Sequence, residues 1–337
     1  MIELEKKLSI CIPTYNRCDH LNNCLNSIYI NNINSSDVEV CISDNNSTDK
    51  TFDIVSKYKK KINIKYNKNS ENIGVAKNIL KSVDMSTSKF CWIIGDDDLL
   101  INDAIKTVLY LLDKHKKTDY FFINSFHLDS KVIGNYKSPI NPVLIKENMS
   151  KFSNKLENFE CDFVDLINPN ISFDYFGGMY LSVFNRSKWD ENTHKLDLDK
   201  INNKTLFSNL DNTFPHVKVF SYAFKSSKAF FYSRPLTINL YGVREWVSLY
   251  PLIRSIRIVN SLDLFFANGL IPLNKYLKFK NLSLQYFIPD ILKILLNMKN
   301  TYPYIIEIIV FYIKNFYYPN IYLSVLYQLK RLIKKLL

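Results

Sequence analysis

Glycine is scarce in this chain, with 7 residues among 337. The loop after the first predicted strand, Pro13–Arg17, contains none. A glycine-rich loop whose backbone N–H groups surround a phosphate is therefore absent where nucleotide-binding folds often carry it. We expect each of the few glycines to serve a backbone conformation that other residues resist.

Cysteine motifs and long apolar runs are also absent. The six cysteines form no C-x-x-C pair and no cysteine and histidine spacing typical of zinc. No stretch reaches the roughly 18 apolar residues of a membrane span. The N-terminal residues 1–10 carry charges where a signal peptide needs an apolar core. These absences predict reduced cysteines and a cytoplasmic location.

The positive charge is unevenly distributed. The formal net charge is +12, and residues 275–337 contribute +8 of it through ten Lys or Arg against two acids. Near the C-terminus an apolar helical stripe alternates with basic residues (Val325, Leu326, Leu329, Leu332, Ile333 and Leu336, with Lys330, Arg331, Lys334 and Lys335). Such a helix suits the surface of an anionic membrane, or it packs on the domain with its lysines in water. No nucleic-acid motif accompanies the charge, so we expect no nucleic-acid partner.

The first 125 residues alternate strand-like and helix-like patterns, which is typical of a mainly parallel α/β sheet. The predicted strands are Leu8–Ile12, Val38–Ser43, Ile62–Tyr66, Phe90–Ile94 and Tyr120–Asn124. The first helix is predicted to begin at an Asp19 cap, and the second to bury Phe52, Val55 and Tyr58. Further helices are predicted around Val75–Val83 and over residues 102–114. Periodicity weakens over 126–240, and beyond 245 the pattern is helical with several prolines.

Four polar clusters follow the predicted strands, at the sheet edge where open α/β folds bind ligands. They are Pro13–Arg17, Ser43–Asp49, Asn72–Gly74 with Lys77 and Asn78, and Gly95–Asp98. Asp44 can accept hydrogen bonds from a pyrimidine or a ribose, or it caps a helix. Tyr15 can lie against a base and Arg17 can pair with a phosphate.

Asp96, Asp97 and Asp98 place three carboxylates after an apolar strand. Their mutual repulsion is costly, and a divalent cation removes that cost. One or two Asp side chains, with diphosphate oxygens in the other positions, describe a Mg²⁺ or Mn²⁺ site. An acidic turn before the helix at Ile101–Lys114 accounts for one Asp but not for three.

In this order, the clusters resemble the family 2 glycosyltransferases of the GT-A fold. The matching segments are Leu8–Arg17, Ser43–Asp49, Asn72–Asn78 and Gly95–Asp98. The acidic motif and Phe176–Tyr180 look most like the branch that includes abequosyltransferase-type enzymes of bacterial surface polysaccharide assembly. The resemblance is clear over residues 7–125 and looser over the next hundred.

The resemblance implies an inverting, metal-dependent transfer of a sugar from a nucleoside diphosphate sugar to an acceptor hydroxyl. The donor-binding residues that it implies are Pro13, Thr14, Tyr15, Arg17, Asp44, Asn72, Gly74, Lys77, Asn78 and Asp96. Mn²⁺ or Mg²⁺ is assigned to Asp97 and Asp98. A literal D-x-D motif is Asp96 and Asp98, whereas counting back from the next helix makes Asp97 the final motif residue and Gly95 the first. Lys77 stands where many relatives carry Arg.

The resemblance also implies a catalytic base after the glycine-containing segment, near a helix start. Asp211 fits that position, although the usual Glu-Asp pair is absent, and Asp174, Asp197 and Asp199 are rivals. His216 fits a turn or surface residue better than a catalytic one. Gly177 and Gly178 fit a close backbone approach to the donor sugar or a simple turn.

These predictions divide the chain into a GT-A catalytic domain over 1–245 and a basic helical region over 246–337. Within the first, residues 1–125 are assigned to the donor and 126–245 to the acceptor. The expected acceptor is a glycan or lipid-linked oligosaccharide, and the expected location is the inner face of the cytoplasmic membrane. The alternatives are a sugar nucleotidyltransferase, which the glycine-free loop disfavours, and a non-catalytic nucleotide-sugar-binding protein at the membrane, which the intact acids disfavour.

Overall fold

The computed structural model describes residues 6–31, 36–242, 245–297 and 301–336. The chain forms two compact units. The first comprises Met1–Leu166, Gly178–Lys195 and Ala223–Val243, and the second comprises Ile167–Gly177, Leu196–Tyr222 and Arg244–Leu337. The second unit thus includes two segments from before residue 245, and the predicted functional boundaries at 125 and 245 stay predictions.

The first unit is built on one mixed sheet, which has ten strands among the described residues. The strands are β1 Leu8–Thr14, β2 Val38–Asp44, β3 Ile64–Lys68, β4 Phe90–Ile93, β5 Leu99–Leu100, β6 Tyr120–Asp129, β7 Ser150–Lys151, β8 Phe159–Asp162, β9 Ser182–Asn185 and β10 Lys228–Tyr241. Their order is β3-β2-β1-β4-β9-β6-β10-β5, with β7 on β6 and β8 on β10. The pairs β3/β2, β2/β1, β1/β4 and β6/β10 are parallel, so these carboxyl ends share one edge.

Helices cover the sheet with apolar faces, as the sequence pattern predicts. The helices of this unit are α1 Cys18–Ile30, α2 Thr51–Lys59, α3 Val75–Asp84, α4 Ala104–Lys114, α5 Ser130–Ile133 and α6 Arg186–Asp190. In α1 the buried side includes Leu21, Leu25 and Ile28, which recur at helical spacing. The buried strand residues Ile10 and Trp92 are 0% exposed.

Two predictions near the start of the chain were wrong. The first strand continues through Pro13 to Thr14, because β4 pairs with β1 only as far as Cys11 and the missing N–H of Pro13 interrupts no ladder there. Asp19 does not cap α1; instead Asp49 accepts the Cys18 N–H at 2.9 Å.

The structure also differs from the sequence predictions in the exposure of Phe52 and in the extents of two strands. Phe52 is 60% exposed, so α2 buries Val55 and Tyr58 without it. Strand β6 extends to Asp129, and the 14-residue β10 was not predicted because Pro235 and mixed polarity obscure its alternation.

The second unit is helical. Its helices are α7 Leu198–Ile201, α8 Leu210–Thr213, α9 Pro215–Ala223, α10 Tyr250–Leu252, α11 Ile258–Ala267, α12 Leu273–Ser283, α13 Phe287–Leu296, α14 Ile305–Asn315 and α15 Pro319–Leu336. A π-helical turn at Ile253–Arg257 joins α10 to α11. Arg257, which is 0% exposed, pairs with Glu307, and Arg254 pairs with the buried Asp290. These ion pairs connect segments far apart in the chain.

The buried side of helix α15 combines the apolar Ile321 with polar residues. Ser324 is 0% exposed and the Arg331 guanidinium lies 3.9 Å from the centre of the Tyr286 ring. Leu326 and Leu329 are 53% and 50% exposed. The apolar stripe is therefore largely exposed, and both alternatives, membrane binding and a packed surface helix with its lysines in water, stay predictions. Among the described residues, no helix is both long enough and apolar enough to cross a membrane.

Candidate active site

The loops after β1 and β2 are tied together at the sheet edge. Thr14 and Asp44 are Cα partners in the parallel register. Asn45 donates its backbone N–H to the Thr14 carbonyl oxygen at 2.9 Å. Asn16, which has a left-handed φ of 51°, donates its N–H to Ser47 Oγ at 2.8 Å. The two polar loops, about thirty residues apart in sequence, therefore form one surface.

Asp44 is buried and its carboxylate is held from two sides. It is 1% exposed, accepts the Ser47 N–H at 2.8 Å and accepts the Tyr66 hydroxyl at 2.6 Å. Burial and the Asp44 carboxylate raise the pKa of Tyr66, so that the phenol stays a donor. Tyr15 in the neighbouring loop is 41% exposed and presents its ring to solvent. A fixed acceptor and an open aromatic ring suit a nucleoside.

The acidic motif joins the same cluster. Asp96, Asp97 and Asp98 follow β4 and are 6%, 2% and 0% exposed. Thr14 Oγ1 donates to Asp96 Oδ2 at 2.8 Å. Arg17 Nη2 donates to Asp97 Oδ2 at 2.9 Å, and Arg17 Nε lies 3.1 Å from Asp96 Oδ1. The clusters after β1, β2 and β4 thus lie together at the edge of the sheet, and the fourth joins them, since Asn72 Oδ1 accepts from Asn45 Nδ2 at 2.7 Å.

Asp98 closes the turn of the motif. Its Oδ2 accepts the Gly95 N–H at 2.6 Å, and its Oδ1 accepts from Asn239 Nδ2 at 2.8 Å. A Cβ atom at Gly95 would lie 2.6 Å from Asp97 Oδ1 and 3.0 Å from Asp98 Oδ2. The two carboxylates therefore converge over a position that only glycine leaves open.

These oxygens suit a hard divalent cation. In the described parts of the chain, no group of three or more His, Cys, Asp or Glu side chains is arranged to hold a metal ion. The two converging carboxylates need further oxygen ligands, which a diphosphate can supply. The residues present therefore fit a cation shared with a nucleotide.

The fourth cluster, around α3, divides into buried and exposed residues. Asn78 is 3% exposed and fixes the end of β2, since its Oδ1 accepts from Ser43 Oγ at 2.7 Å. Asn72 and Gly74 are exposed, and Gly74 begins α3 with a φ of 85° that favours glycine. Lys77 is half-buried. Asn78 thus acts on the site through the backbone, and donor contacts by these residues stay predictions.

The proposed base lies in the second unit. Asp211 is 4% exposed, and its Oδ1 accepts the Asp197 N–H at 2.9 Å and the Lys218 ammonium at 2.5 Å. Of the rivals, Asp197 caps α7, Asp199 is exposed and Asp174 is 9% exposed. The assignment of Asp211 as the base stays a prediction.

His216 and Gly177 have structural explanations within the second unit. His216 is 2% exposed, its Nε2 lies 3.0 Å from the Phe176 carbonyl oxygen, and burial lowers its pKa to about 4. It is therefore not a surface residue. A Cβ at Gly177 would lie 3.1 Å from the Phe214 ring, so close packing accounts for this glycine. Donor contact by Gly177 or Gly178 stays a prediction.

Three residues beside Asp44, Arg17 and the acidic motif were not predicted from the sequence. Tyr66 and Asn239 hold Asp44 and Asp98, and no local motif distinguishes either residue because strand register brings them there. His20 lies one helical turn after Arg17, a spacing that the sequence does reveal. Burial and the Arg17 charge lower the pKa of His20.

The family model of glycosyl transferase family 2 matches residues 9–186. This chain belongs to glycosyl transferase family 2. The match covers all four polar clusters, and the resemblance inferred from them is confirmed.

Curated relatives match over shorter stretches. Abequosyltransferase RfbV of Salmonella typhimurium is 42% identical over 108 residues, which is 32% of this chain and 32% of the relative. The poly(ribitol-phosphate) beta-N-acetylglucosaminyltransferase TarS of Staphylococcus aureus is 30% identical over 112 residues, which is 32% of this chain and 19% of that protein. The chain thus spans about a third or less of the length of these relatives.

Solved structures agree with the fold. S. aureus TarS 1–349 in complex with UDP has a TM-score of 0.56 at 16% identity, covering 84% of this chain and 72% of that one. The mannosyltransferase PcManGT from Pyrobaculum calidifontis in complex with GDP-Man and Mn²⁺ has a TM-score of 0.53 at 13% identity, covering 95% and 84%. The predicted α/β GT-A fold with C-terminal helices is confirmed.

Proposed function

We propose that the protein is an inverting glycosyltransferase. It moves a sugar from a nucleoside diphosphate sugar to an acceptor hydroxyl during the assembly of a bacterial surface polysaccharide or oligosaccharide. Membership of glycosyl transferase family 2 and the names of the curated relatives support this proposal.

One observation carries the proposal: Asp44 and the acidic motif share a single hydrogen-bonded edge of the sheet. Thr14 joins the two, since it pairs with Asp44 in register and donates to Asp96 at 2.8 Å. Asp44 and Tyr15 are assigned to the nucleoside, and Arg17 and Lys77 to the diphosphate. In this proposal the nucleoside binds at the Asp44 end of the site and the diphosphate binds at the end with the acidic motif.

The reaction requires a carboxylate that accepts the proton of the acceptor hydroxyl. The hydroxyl oxygen then bonds to the anomeric carbon as the bond between that carbon and the diphosphate oxygen breaks, on the opposite face, and the configuration inverts. The electron pair leaves with the nucleoside diphosphate. We assign the base to Asp211, because its carboxylate begins a helix after the glycine-containing segment.

The acidic motif is assigned to Mn²⁺ or Mg²⁺, with Asp97 as the main protein ligand and Asp98 beside it. When bound, the cation supplies positive charge against the charge that grows on the departing diphosphate. The Mn²⁺ in the mannosyltransferase complex supports this assignment by likeness of fold. Arg17 adds a second positive charge on the same side.

We further propose that the second unit docks on the inner face of the cytoplasmic membrane, where a lipid-linked acceptor is available. Helices α13, α14 and α15 expose many large apolar side chains (Leu292, Leu296, Ile306, Ile309, Ile313, Leu326, Leu329 and Ile333). Exposed lysines, including Lys293, Lys314 and Lys330, lie on the same helices. An apolar face with a positive rim is complementary to an anionic lipid surface.

A sugar nucleotidyltransferase is disfavoured by the family match and by the glycine-free loop at Pro13–Arg17. A non-catalytic nucleotide-binding protein is disfavoured by the complete set of acidic residues.

Binding of candidate donors tests the proposal. UDP-, GDP-, CDP- and dTDP-sugars are each added with Mn²⁺, and the unfolding temperature is measured. We expect one nucleotide class to raise it by several degrees, and Asp44→Asn to remove that shift. Asp53→Asn on α2 is the control for an acid outside the site. The absence of stabilisation by all four classes would contradict a donor site here.

A further inference from the structure

The acidic motif already has a cation beside it. Three consecutive carboxylates, each at most 6% exposed, repel one another and need compensation. The Asp98 carboxylate accepts from the Gly95 N–H and from Asn239, and the Asp96 carboxylate accepts from Thr14. The Asp97 carboxylate accepts from Arg17, whose Nη2 donates to Oδ2 at 2.9 Å.

Arg17 contacts the carboxylates of Asp96 and Asp97, and the two contacts differ in geometry. Its Nε lies 3.1 Å from Asp96 Oδ1, yet this buried nitrogen makes no hydrogen bond of acceptable geometry. Arg17 therefore forms a hydrogen-bonded ion pair with Asp97, whereas its interaction with Asp96 is mainly electrostatic. The Arg17 side chain is 22% exposed and that of Asp97 is 2% exposed, so Arg17 is the partner with access to solvent.

We propose that Arg17 is the counter-ion of Asp97 in the donor-free protein and that it competes with the divalent cation for this carboxylate. This proposal rests on the proposed function. A cation at Asp97 and a guanidinium on the same carboxylate repel each other in a site with little water. Binding of a cation at Asp97 would therefore require Arg17 to leave this carboxylate.

The diphosphate of the donor resolves the conflict. It brings negative charge that pairs with the released guanidinium while its oxygens share the cation. Metal and nucleotide consequently bind more tightly together than apart, and each raises the affinity of the other by the same factor. Without nucleotide, Arg17 keeps the acidic motif closed to the metal.

In this proposal Arg17 has two roles: it competes with the cation for Asp97, and it pairs with the diphosphate. The substitution Arg17→Gln should therefore strengthen Mn²⁺ binding and weaken nucleotide binding. Binding of Mn²⁺ alone is measured on nucleotide-free protein by electron paramagnetic resonance. We expect Arg17→Gln to bind Mn²⁺ at least tenfold more tightly than the wild type. The same variant is expected to bind UDP, GDP, CDP or dTDP, whichever the wild type prefers, at least tenfold more weakly with Mn²⁺ present. Arg17→Lys, which keeps the charge without the planar guanidinium, should lie between them.

Unchanged or weaker Mn²⁺ binding by folded Arg17→Gln overturns the proposal. If that variant does not fold, Arg17→Lys decides: Mn²⁺ binding no tighter than that of the wild type overturns the proposal, and tighter binding supports it. Failure of the proposed function looks different, because the wild type would then bind none of the four nucleotides.

Discussion

The acidic loop Gly95–Asp98 buries charged side chains, whereas helix α15 exposes apolar side chains to solvent. In the loop, Asp98 is 0% exposed and its two oxygens accept hydrogen bonds from Gly95 and Asn239. In α15, Leu326 and Leu329 are about half exposed while Ser324 is buried. The carboxylates of the loop are bonded to groups of neighbouring strands and loops, whereas the helix leaves apolar area in water.

This difference separates two kinds of binding surface. In the polar site the carboxylates are already positioned by hydrogen bonds, and the proposed change on ligand binding is confined to the Arg17 side chain. An exposed apolar face gains free energy only when something removes it from water. The first region is therefore expected to determine chemistry, and the second to determine location. The predictions below test each side of this contrast.

The largest effect is expected at the metal end of the polar site. Asp97→Asn removes a charge that we propose holds the cation and should lower turnover by roughly 10³-fold, in the range found when a charge-stabilising group is lost. Turnover is measured as nucleoside diphosphate released in the presence of Mn²⁺. Asp113→Asn, at an exposed ion pair with Lys7, is the matched control and should leave turnover unchanged. Near-normal activity of Asp97→Asn would remove this residue from the site.

Asp211→Asn tests the proposed assignment of the catalytic base. Loss of a general base lowers turnover by about 10²–10⁴-fold, while donor binding measured calorimetrically should stay within about twofold. The matched variants are Asp174→Asn, Asp197→Asn and Asp199→Asn. If one of these abolishes turnover and Asp211→Asn does not, the base lies there instead.

Gly95→Ala tests the convergence of the two carboxylates. The new Cβ would meet Asp97 Oδ1 at 2.6 Å and must displace it. We expect a cost of about 1–3 kcal/mol in stability and a loss of Mn²⁺-dependent nucleotide binding. Gly134→Ala is the control, since its nearest contact would be 3.7 Å away. Equal behaviour of the two variants would contradict a tight acidic turn.

The pH dependence of stability tests the buried His216. Burial lowers its pKa from 6.5 to about 4, so the unfolded state binds more protons between these values. Its contribution is present above pH 6.5 and is lost as pH falls toward 4, by about 2 kcal/mol between pH 7 and pH 5. Urea unfolding at both pH values measures this loss. His216→Gln should lose about 2 kcal/mol less over the same interval, and an identical loss in the variant would contradict the account.

The smallest effect is expected on the exposed face of α15. The double variant Leu326→Glu with Leu329→Glu should weaken binding to phosphatidylglycerol vesicles about tenfold and change stability by less than about 0.5 kcal/mol. The double variant Leu156→Glu with Leu198→Glu makes the same change at residues that are 80% and 68% exposed, and should bind like the wild type. Equal vesicle binding by both double variants, with a changed oligomeric state for the α15 variant, would identify an interface between copies of the chain.

Motifs whose partners are local in sequence could be predicted, and contacts set by strand register could not. The strand after Lys7 and the acidic turn at Gly95 follow from periodicity and residue type. Tyr66 and Asn239 reach the site only because β3 and β10 lie where they do in the sheet. No local pattern encodes that pairing.

The orientation of the apolar stripe on helix α15 could not be predicted from the sequence either. Its apolar stripe was recognised in the sequence, but the pattern alone does not say whether the stripe faces the protein or the solvent. Stacking of Arg331 on Tyr286 and burial of Ser324 decide it, and both depend on distant helices. Phe52 is the converse case, an apolar residue at helical spacing that packs on no core.

Consumption of a nucleotide sugar by the wild-type protein tests the central claim most directly. The protein is incubated with each of UDP-, GDP-, CDP- and dTDP-sugars and with membrane lipid extract as acceptor, with Mn²⁺ or with EDTA, and the released nucleoside diphosphate is measured. We expect release from one nucleotide class, dependent on both metal and extract. No release from any of them, while a nucleotide is bound, would contradict the assignment of this polar site to glycosyl transfer.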